Sequence, residues 1–202
     1  MQLTELQRDA MAELMNIGMG QAAASLSQIV GEEVKLSIPN VELLSRQEAA
    51  NTLKTQPEER IAAIKQTFKG PFWGDALLLF PESKSIELVE SITKGEVPRE
   101  LIPEIEQDAL LEVGNIILNA CLGSLANLLT HEVSSELPIY ITGLASDILC
   151  HPTGEDNDVV LFLRTDFELP SNDVSGYVAF ILDIPSLEQV QTSIDRYLGQ
   201  IT

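Results

Sequence analysis

The chain has 202 residues, of which 12 are basic and 31 acidic, giving a formal net charge of -19. That charge repels phosphate backbones and anionic lipid, so nucleic acid and membrane surfaces are excluded as expected partners. Two cysteines are too few for a secreted disulfide framework, and neither a leader pattern nor an apolar run of roughly 18 residues is apparent. With 45% hydrophobic content to bury a core, a folded cytoplasmic protein is expected.

The first predicted element is a helix near the N-terminus, and it has a second copy later in the chain. Residues 9–27 read DAMAELMNIGMGQAAASLS, and residues 108–126 read DALLEVGNIILNACLGSLA. The two blocks share Asp, Ala, Glu, Asn, Ile, Ser and Leu without a gap, at an offset of 99 residues. A duplicated unit is therefore predicted, and its motifs have to be compared in pairs.

After each helical block the pattern predicts a second helical stretch, a strand, a hairpin and a final helix. The strands begin near Glu33 and Glu136, in the alternating segments EVKLSIPNVELL and ELPIYITGLASDIL. The hairpins are predicted to turn at Lys69 to Gly74 and at Pro170 to Ser175.

Short connections between neighbouring strands predict mainly antiparallel pairing. We therefore expect an α+β fold in which a pseudo-two-fold axis relates two helix-helix-strand-hairpin-helix units with long motif-bearing helices. Residues 1–202 are expected to form one domain of two repeats, about 1–97 and 98–202, divided near Gly95 to Pro98.

Each long helix repeats acidic and amide side chains on one face. The repeated positions are Asp9, Glu13 and Asn16, and their counterparts Asp108, Glu112 and Asn115. At about 100° per residue each set falls within roughly a 60° arc. An isolated set of this kind is normally a solvated helix surface, but its duplication in two otherwise different halves favours a functional role. For the two aspartates, helix capping, solvation and a supporting site role all stay open.

An apolar stripe is predicted beside each polar set. Its members are Leu6, Ala10, Leu14 and Ile17 in the first helix, and Ile105, Ala109, Val113 and Ile116 in the second. This spacing places each long helix on the core, with the carboxylates and amides next to the buried face.

The spacing D-x3-E-x2-N-x22-P occurs twice, ending at Pro39 and at Pro138. Together with the NIGMGQAA stretch, this pattern resembles the CheC, CheX and FliY group of chemotaxis phosphatases over almost the whole chain, and it is most similar to stand-alone CheC. The resemblance implies hydrolysis of phosphorylated CheY, with Glu13 and Asn16 in one site and Glu112 and Asn115 in the other. It also implies a CheD deamidase as a further partner.

The residue types suit hydrolysis of an aspartyl phosphate in a CheY-type receiver domain. A receiver already holds Mg²⁺ and a Lys on the phosphoryl group, so no cofactor of this chain is expected. An Asn amide, which both donates and accepts, can position the attacking water. A Glu one turn away can pair with the receiver's Lys and dock the helix.

Two alternatives stay open. The chain is either this phosphatase or a non-catalytic module that binds a receiver or a flagellar-switch protein, and one motif rather than both could carry the activity. Metal binding is not expected, because Cys150, His151 and His131 fall short of the four ligands of a structural zinc site. A Ser, His and Asp triad and a phosphate-binding glycine loop are also lacking.

Overall fold

The computed structural model describes residues 2–53, 59–70, 73–130, 132–150, 159–168 and 173–201, which form six α-helices and seven strands. The helices are α1 (Glu5–Val30), α2 (Arg46–Leu53), α3 (Ser85–Ile92), α4 (Ile102–Leu129), α5 (Ala145–Leu149) and α6 (Ile184–Ile201). The strands are β1 (Lys35–Ser45), β2 (Arg60–Lys69), β3 (Gly74–Pro81), β4 (Ser134–Ser135), β5 (Ile139–Leu144), β6 (Val159–Glu168) and β7 (Asp173–Leu182).

The strands form one antiparallel sheet in the order β1-β6-β7-β3-β2, with β4 and β5 both paired to the far side of β2. The hairpins β2–β3 and β6–β7 lie side by side, with Leu77 of β3 opposite Ala179 of β7. The predicted α+β class with mainly antiparallel pairing is confirmed.

The strand order is symmetric about the β3–β7 pair. Exchanging β1 with β5, β2 with β6, and β3 with β7 reproduces the order read from the other end. As a consequence β1 pairs with β6, and β5 pairs with β2, so each predicted repeat gives its first long strand to the hairpin of the other. The expected pseudo-two-fold axis therefore passes between β3 and β7.

The order of elements within each unit differs from the prediction. Each unit runs helix, strand, short helix, hairpin, helix, because the predicted second helical stretch is the continuation of the first long helix. The glycines in GMGQAAAS do not interrupt α1, since Gly18 packs closely against α4. The short helices α2 and α5 instead follow β1 and β5. A left-handed turn at Gly95, with φ of 65°, follows α3. The boundary between the two repeats at residue 97 stays a prediction.

The predicted hairpins are both present. β2 ends at Lys69 and β3 begins at Gly74, as the sequence indicates. β6 and β7 pair up to Glu168 opposite Asp173, and the rest of the predicted turn, residues 169–172, lies outside the described residues.

The ends of α1 and α4 follow from local sequence. Thr4 and Gln7 form a capping box, in which the Gln7 amide N–H donates to Thr4 Oγ1 (3.2 Å) and the Thr4 N–H donates to Gln7 Oε1 (2.9 Å). Gly31, with φ of 66°, ends α1, and Pro103 lies in the first turn of α4.

The buried face of α1 is rotated from the predicted stripe. Leu6 and Ile17 are 61% and 56% exposed, whereas Met11, Met15 and Met19 are fully buried. The prediction was wrong here because apolar residues surround most of this helix, and the flexible methionines fill the space between the sheet and α4. The buried positions of α4 in the corresponding stretch are Leu110, Val113, Gly114, Ile117, Leu118 and Cys121.

Helices α1, α3, α4 and α6 cover one face of the sheet and form the larger core with it. The shorter α2 and α5 form a second core with part of the opposite face. The motif-bearing helices α1 and α4 therefore lie on the same side of the sheet.

Helices α1 and α4 cross in close contact and run antiparallel. A Cβ placed on Gly18 would lie 2.5 Å from Ser124 Oγ and 2.7 Å from the Ala120 carbonyl oxygen. Earlier in α1, Leu14 lines a cavity with Leu128, near the end of α4. The buried contact between α1 and α4 fixes these two motif-bearing helices relative to each other.

By length and composition, the helical stretch Arg99–Leu129 is apolar enough to cross a membrane, contrary to the sequence expectation. Its most apolar 18-residue window has a mean hydropathy of 1.6, and 44% of that window is buried inside the protein. The apolar residues of α4 that face the sheet belong to the larger core, and a core helix passes the same compositional test.

Candidate functional site

The first motif lies along one exposed face of α1. Asp9 and Glu13 are exposed, and Asn16 is half-buried at the base of the same face. Because residues three, four and seven apart share a helix face, the exposed Leu6 and Ile17 flank Glu13. The first site is thus a carboxylate between two apolar side chains, with an amide behind it.

Asn16 binds the backbone of strand β1. Its Nδ2 donates to the carbonyl oxygens of Ala12 (2.8 Å) and Ile38 (3.1 Å), and its Oδ1 accepts from the Ile38 N–H (2.8 Å). The β1–β6 register shifts between Ser37 and Asn40, so the Asn16 amide takes the place of a strand partner for Ile38. Both Nδ2 protons are used.

The same contact explains the spacing that ends at Pro39. Pro39 has no N–H, and it follows Ile38 within the irregular part of β1, an edge strand. A proline at this position shapes the path of the edge strand. The spacing in the sequence did not identify the hydrogen bonds between Asn16 and Ile38.

The second motif lies on α4, where Asp108, Glu112 and Asn115 are all exposed. Asn115 does not repeat the contact of Asn16, since no bond joins it to the described residues around Leu137, the counterpart of Ile38. Leu137 is 89% exposed. Instead, Asn115 Oδ1 accepts from Nδ2 of Asn119 at 2.8 Å, and the described residues offer no partner to Asn115 Nδ2.

Asn119 is a residue of this site that the sequence interpretation missed. Its Oδ1 accepts from Gln66 Nε2 (3.3 Å) and from the Ser135 hydroxyl (3.2 Å). Gly20 of α1 stands at the equivalent position, so a comparison of the repeats finds no shared residue there. Its separation of only four residues from Asn115 on the same helix was the available signal.

The structure does not bring the two motifs together. Because α1 and α4 run antiparallel, Asn16 lies level with the part of α4 near Ser124. Asn115 precedes Ser124 by about nine residues, or roughly 13 Å along the axis. The chain therefore carries two separate candidate sites, one towards each end of the helix pair.

Neither aspartate caps a helix. Thr4 caps α1, and α4 begins at Ile102, so Asp9 and Asp108 both lie more than one turn inside. Within the described part of the chain, neither makes a hydrogen bond or an ion pair. Capping is thus excluded, and the supporting role stays a prediction.

No group of three or more His, Cys, Asp and Glu side chains able to hold a metal ion occurs among the described residues. His131 and His151 lie outside those residues, so the expectation about metal stays a prediction. Burial raises the pKa of the Cys121 thiol to about 12, which leaves it a neutral packing group.

The profile of the CheC-like family matches residues 6–43, which contain Asp9, Glu13 and Asn16 of α1 and the Ile38–Pro39 step of β1. Over this segment the chain is similar to the CheC-like family.

Relatives and a solved structure extend this likeness beyond the matched segment. The chain is 22% identical over 185 residues to the "Putative CheY-P phosphatase CheC1" of Halobacterium salinarum, covering 90% of this chain and 93% of that protein. It is 25% identical over 140 residues to the "Flagellar motor switch phosphatase FliY" of Bacillus subtilis, covering 67% of this chain but only 35% of that longer protein. The structure of Thermotoga maritima FliY shares the fold, with a TM-score of 0.75 at 20% identity, covering 96% of this chain and 98% of that one.

Proposed function

We propose that this CheC-like chain hydrolyses the aspartyl phosphate of a CheY-type receiver domain. The observation that carries the proposal is the exposed Asn115 amide, which lies one helical turn after the exposed carboxylate of Glu112. The names of the Halobacterium and Bacillus relatives, both phosphatases, support this activity. Within the family, stand-alone CheC proteins are the subgroup that we propose.

In the proposed reaction, a water oxygen attacks the phosphorus atom while the bond from phosphorus to the aspartyl oxygen breaks. The aspartate carboxylate leaves, and inorganic phosphate carries the water oxygen. Asn115 Oδ1 accepts a hydrogen bond from the attacking water, and its Nδ2 donates to a phosphoryl oxygen. In the first site the same role is proposed for Asn16.

Glu112, and Glu13 in the first site, are proposed to pair with the active-site Lys of the receiver. A carboxylate beside a phosphoryl group is repelled unless a cation lies between them, and this Lys is such a cation. Neither Glu has a hydrogen bond or ion pair among the described residues, so both are available. Asp9 and Asp108, one turn earlier, are proposed to orient the same cationic partner.

The remaining requirements are met by the partner. The receiver is proposed to supply the Mg²⁺ that neutralises phosphoryl charge, so that this chain contributes no cofactor of its own. On the family resemblance, a CheD-type deamidase is proposed as a further partner. Both partners place the proposed activity in the cytoplasm.

The contacts favour the second site over the first. Asn16 cannot offer an N–H donor to a phosphoryl oxygen without leaving Ala12 or Ile38, since both Nδ2 protons are bound there. Asn115 keeps its Nδ2 free of the described residues while Oδ1 is held. We therefore expect Glu112 and Asn115 to carry most of the activity.

The test follows the decay of a phosphorylated receiver in the presence of Mg²⁺. Wild-type protein, Asn115→Ala, Asn16→Ala and the double variant are compared with buffer, and binding is measured with a beryllofluoride-saturated receiver. We expect faster decay with wild type, and a loss of about 100-fold in acceleration for Asn115→Ala with unchanged binding. If the wild-type protein binds the receiver, but the phosphorylated receiver decays no faster with it than in buffer, the chain is the non-catalytic docking module.

A further inference from the structure

We infer that Asn119 is a positioning residue for the second site, which sets the orientation of the Asn115 amide; this inference rests on the proposed function. Asn119 is exposed on α4, one turn after Asn115. It lies outside the repeated motif, because the equivalent position of α1 is Gly20.

The orientation of the Asn119 amide follows from its neighbours on the sheet. Gln66 is 2% exposed, and its Nε2 donates to both the Glu136 carbonyl oxygen (3.0 Å) and Asn119 Oδ1 (3.3 Å). The Ser135 hydroxyl donates to the same Oδ1 at 3.2 Å. The Glu136 carbonyl oxygen can only accept, so the Gln66 atom that faces it is the Nε2 donor, and the Asn119 atom that faces the same donor must be the carbonyl oxygen.

Asn119 Nδ2 must then point along the helix towards Asn115. It donates to Asn115 Oδ1 at 2.8 Å, which fixes the Asn115 oxygen on the helix side and leaves Nδ2 facing outwards. One lone pair of Oδ1 remains for the attacking water, so a single amide orientation presents both the acceptor and the donor that the proposed reaction uses.

The chain of contacts is anchored in rigid structure. Gln66 belongs to β2 and Ser135 to β4, which pairs with β2 at Phe68. Asn119 therefore joins the edge of the sheet to the catalytic face of α4. A preorganised amide avoids the loss of rate that a freely rotating side chain would bring.

The decisive variant is Asn119→Asp. The carboxylate keeps acceptor oxygens for Gln66 and Ser135 but has no proton to donate to Asn115 Oδ1. The Asn115 amide is then expected to turn, so that Nδ2 faces Asp at position 119 and no longer faces the phosphoryl group. Asn127→Asp, an exposed change further along α4, adds the same charge away from the site and serves as the control.

Receiver dephosphorylation is measured at a saturating concentration of the wild-type protein or of each variant. Affinity for a beryllofluoride-saturated receiver is measured separately. We expect Asn119→Asp to lower the maximal catalysed rate by about tenfold, with affinity within about twofold of wild type and of Asn127→Asp. In NMR spectra of the free protein, the Asn115 side-chain amide resonances should shift in Asn119→Asp and stay in place in Asn127→Asp.

The two possible failures are distinguishable. A wild-type protein that does not accelerate decay overturns the proposed function and, with it, the role of Asn119. An active wild type with equal maximal rates for Asn119→Asp and Asn127→Asp overturns the positioning role alone. A variant that loses affinity and rate in the same proportion, with unshifted Asn115 resonances, also overturns it, because that result describes a docking contact.

Discussion

Replacement of Gly18 by Ala tests the contact between α1 and α4. The added Cβ would lie 2.7 Å from the Ala120 carbonyl oxygen, a backbone atom that moves only if α4 moves. Gly20, on the same helix, provides the matched control, because a Cβ added there would meet no atom within 4 Å. Both changes gain the helix propensity of Ala, about 1 kcal/mol, so their difference isolates the packing term.

That packing term should be about 1–3 kcal/mol, the usual penalty for adding a methyl group to a close-packed seam. Gly20→Ala should therefore raise the free energy of unfolding by roughly 0.5–1 kcal/mol. The free energy of unfolding of Gly18→Ala should be lower than that of Gly20→Ala by the packing penalty. Urea denaturation followed by circular dichroism, with m-values compared, measures both. Equal stabilisation by the two variants would refute the close crossing.

Three further outcomes are expected. Asn16→Ala should lower the free energy of unfolding by about 1–3 kcal/mol in urea, because it strips the Ile38 backbone of its partners, whereas Asn115→Ala should change it by less than about 0.5 kcal/mol. Cys121, whose pKa is raised to about 12, should resist a thiol reagent at pH 8 in the folded protein, and stability should fall as pH rises above 9.0, where only the unfolded chain ionises. Thr165→Val should raise the midpoint of thermal unfolding, since the fully buried Thr165 hydroxyl lacks a hydrogen-bond partner among the described residues.

The sequence predicts the general architecture because the relevant signals are local or duplicated. Alternation and turn residues identify the strands and hairpins, and the offset of 99 residues pairs the two long helices. The sequence analysis predicted a second helical stretch before β1, where α1 continues, and it did not predict the short helix α2 that follows β1. The close contact of Gly18 with α4 explains why glycine suits the interior of this helix.

The candidate site was predicted in its residues but not in its contacts. Glu13 and Asn16 stand out through repetition, yet the bond from Asn16 to Ile38 depends on how β1 folds back on α1. One partner of Asn119 is also remote, since Gln66 is 53 residues away in sequence. The periodicity of α1 could not tell Leu6 from Met11 as the buried residue, because apolar side chains occupy both faces.

The reciprocal pairing of β1 with β6 and of β5 with β2 bears on how the chain folds. Lys35 lies opposite Glu168, so completing the sheet requires parts of the chain that are far apart in sequence to meet. Contacts of such high sequence separation slow folding, since chain entropy is lost before the pairing stabilises anything. Neither hairpin gains its outer strand from its own half, which makes the sheet an all-or-none assembly. A nascent first half would wait, with one side of β2 and of β3 unpaired, until the second half had been synthesised.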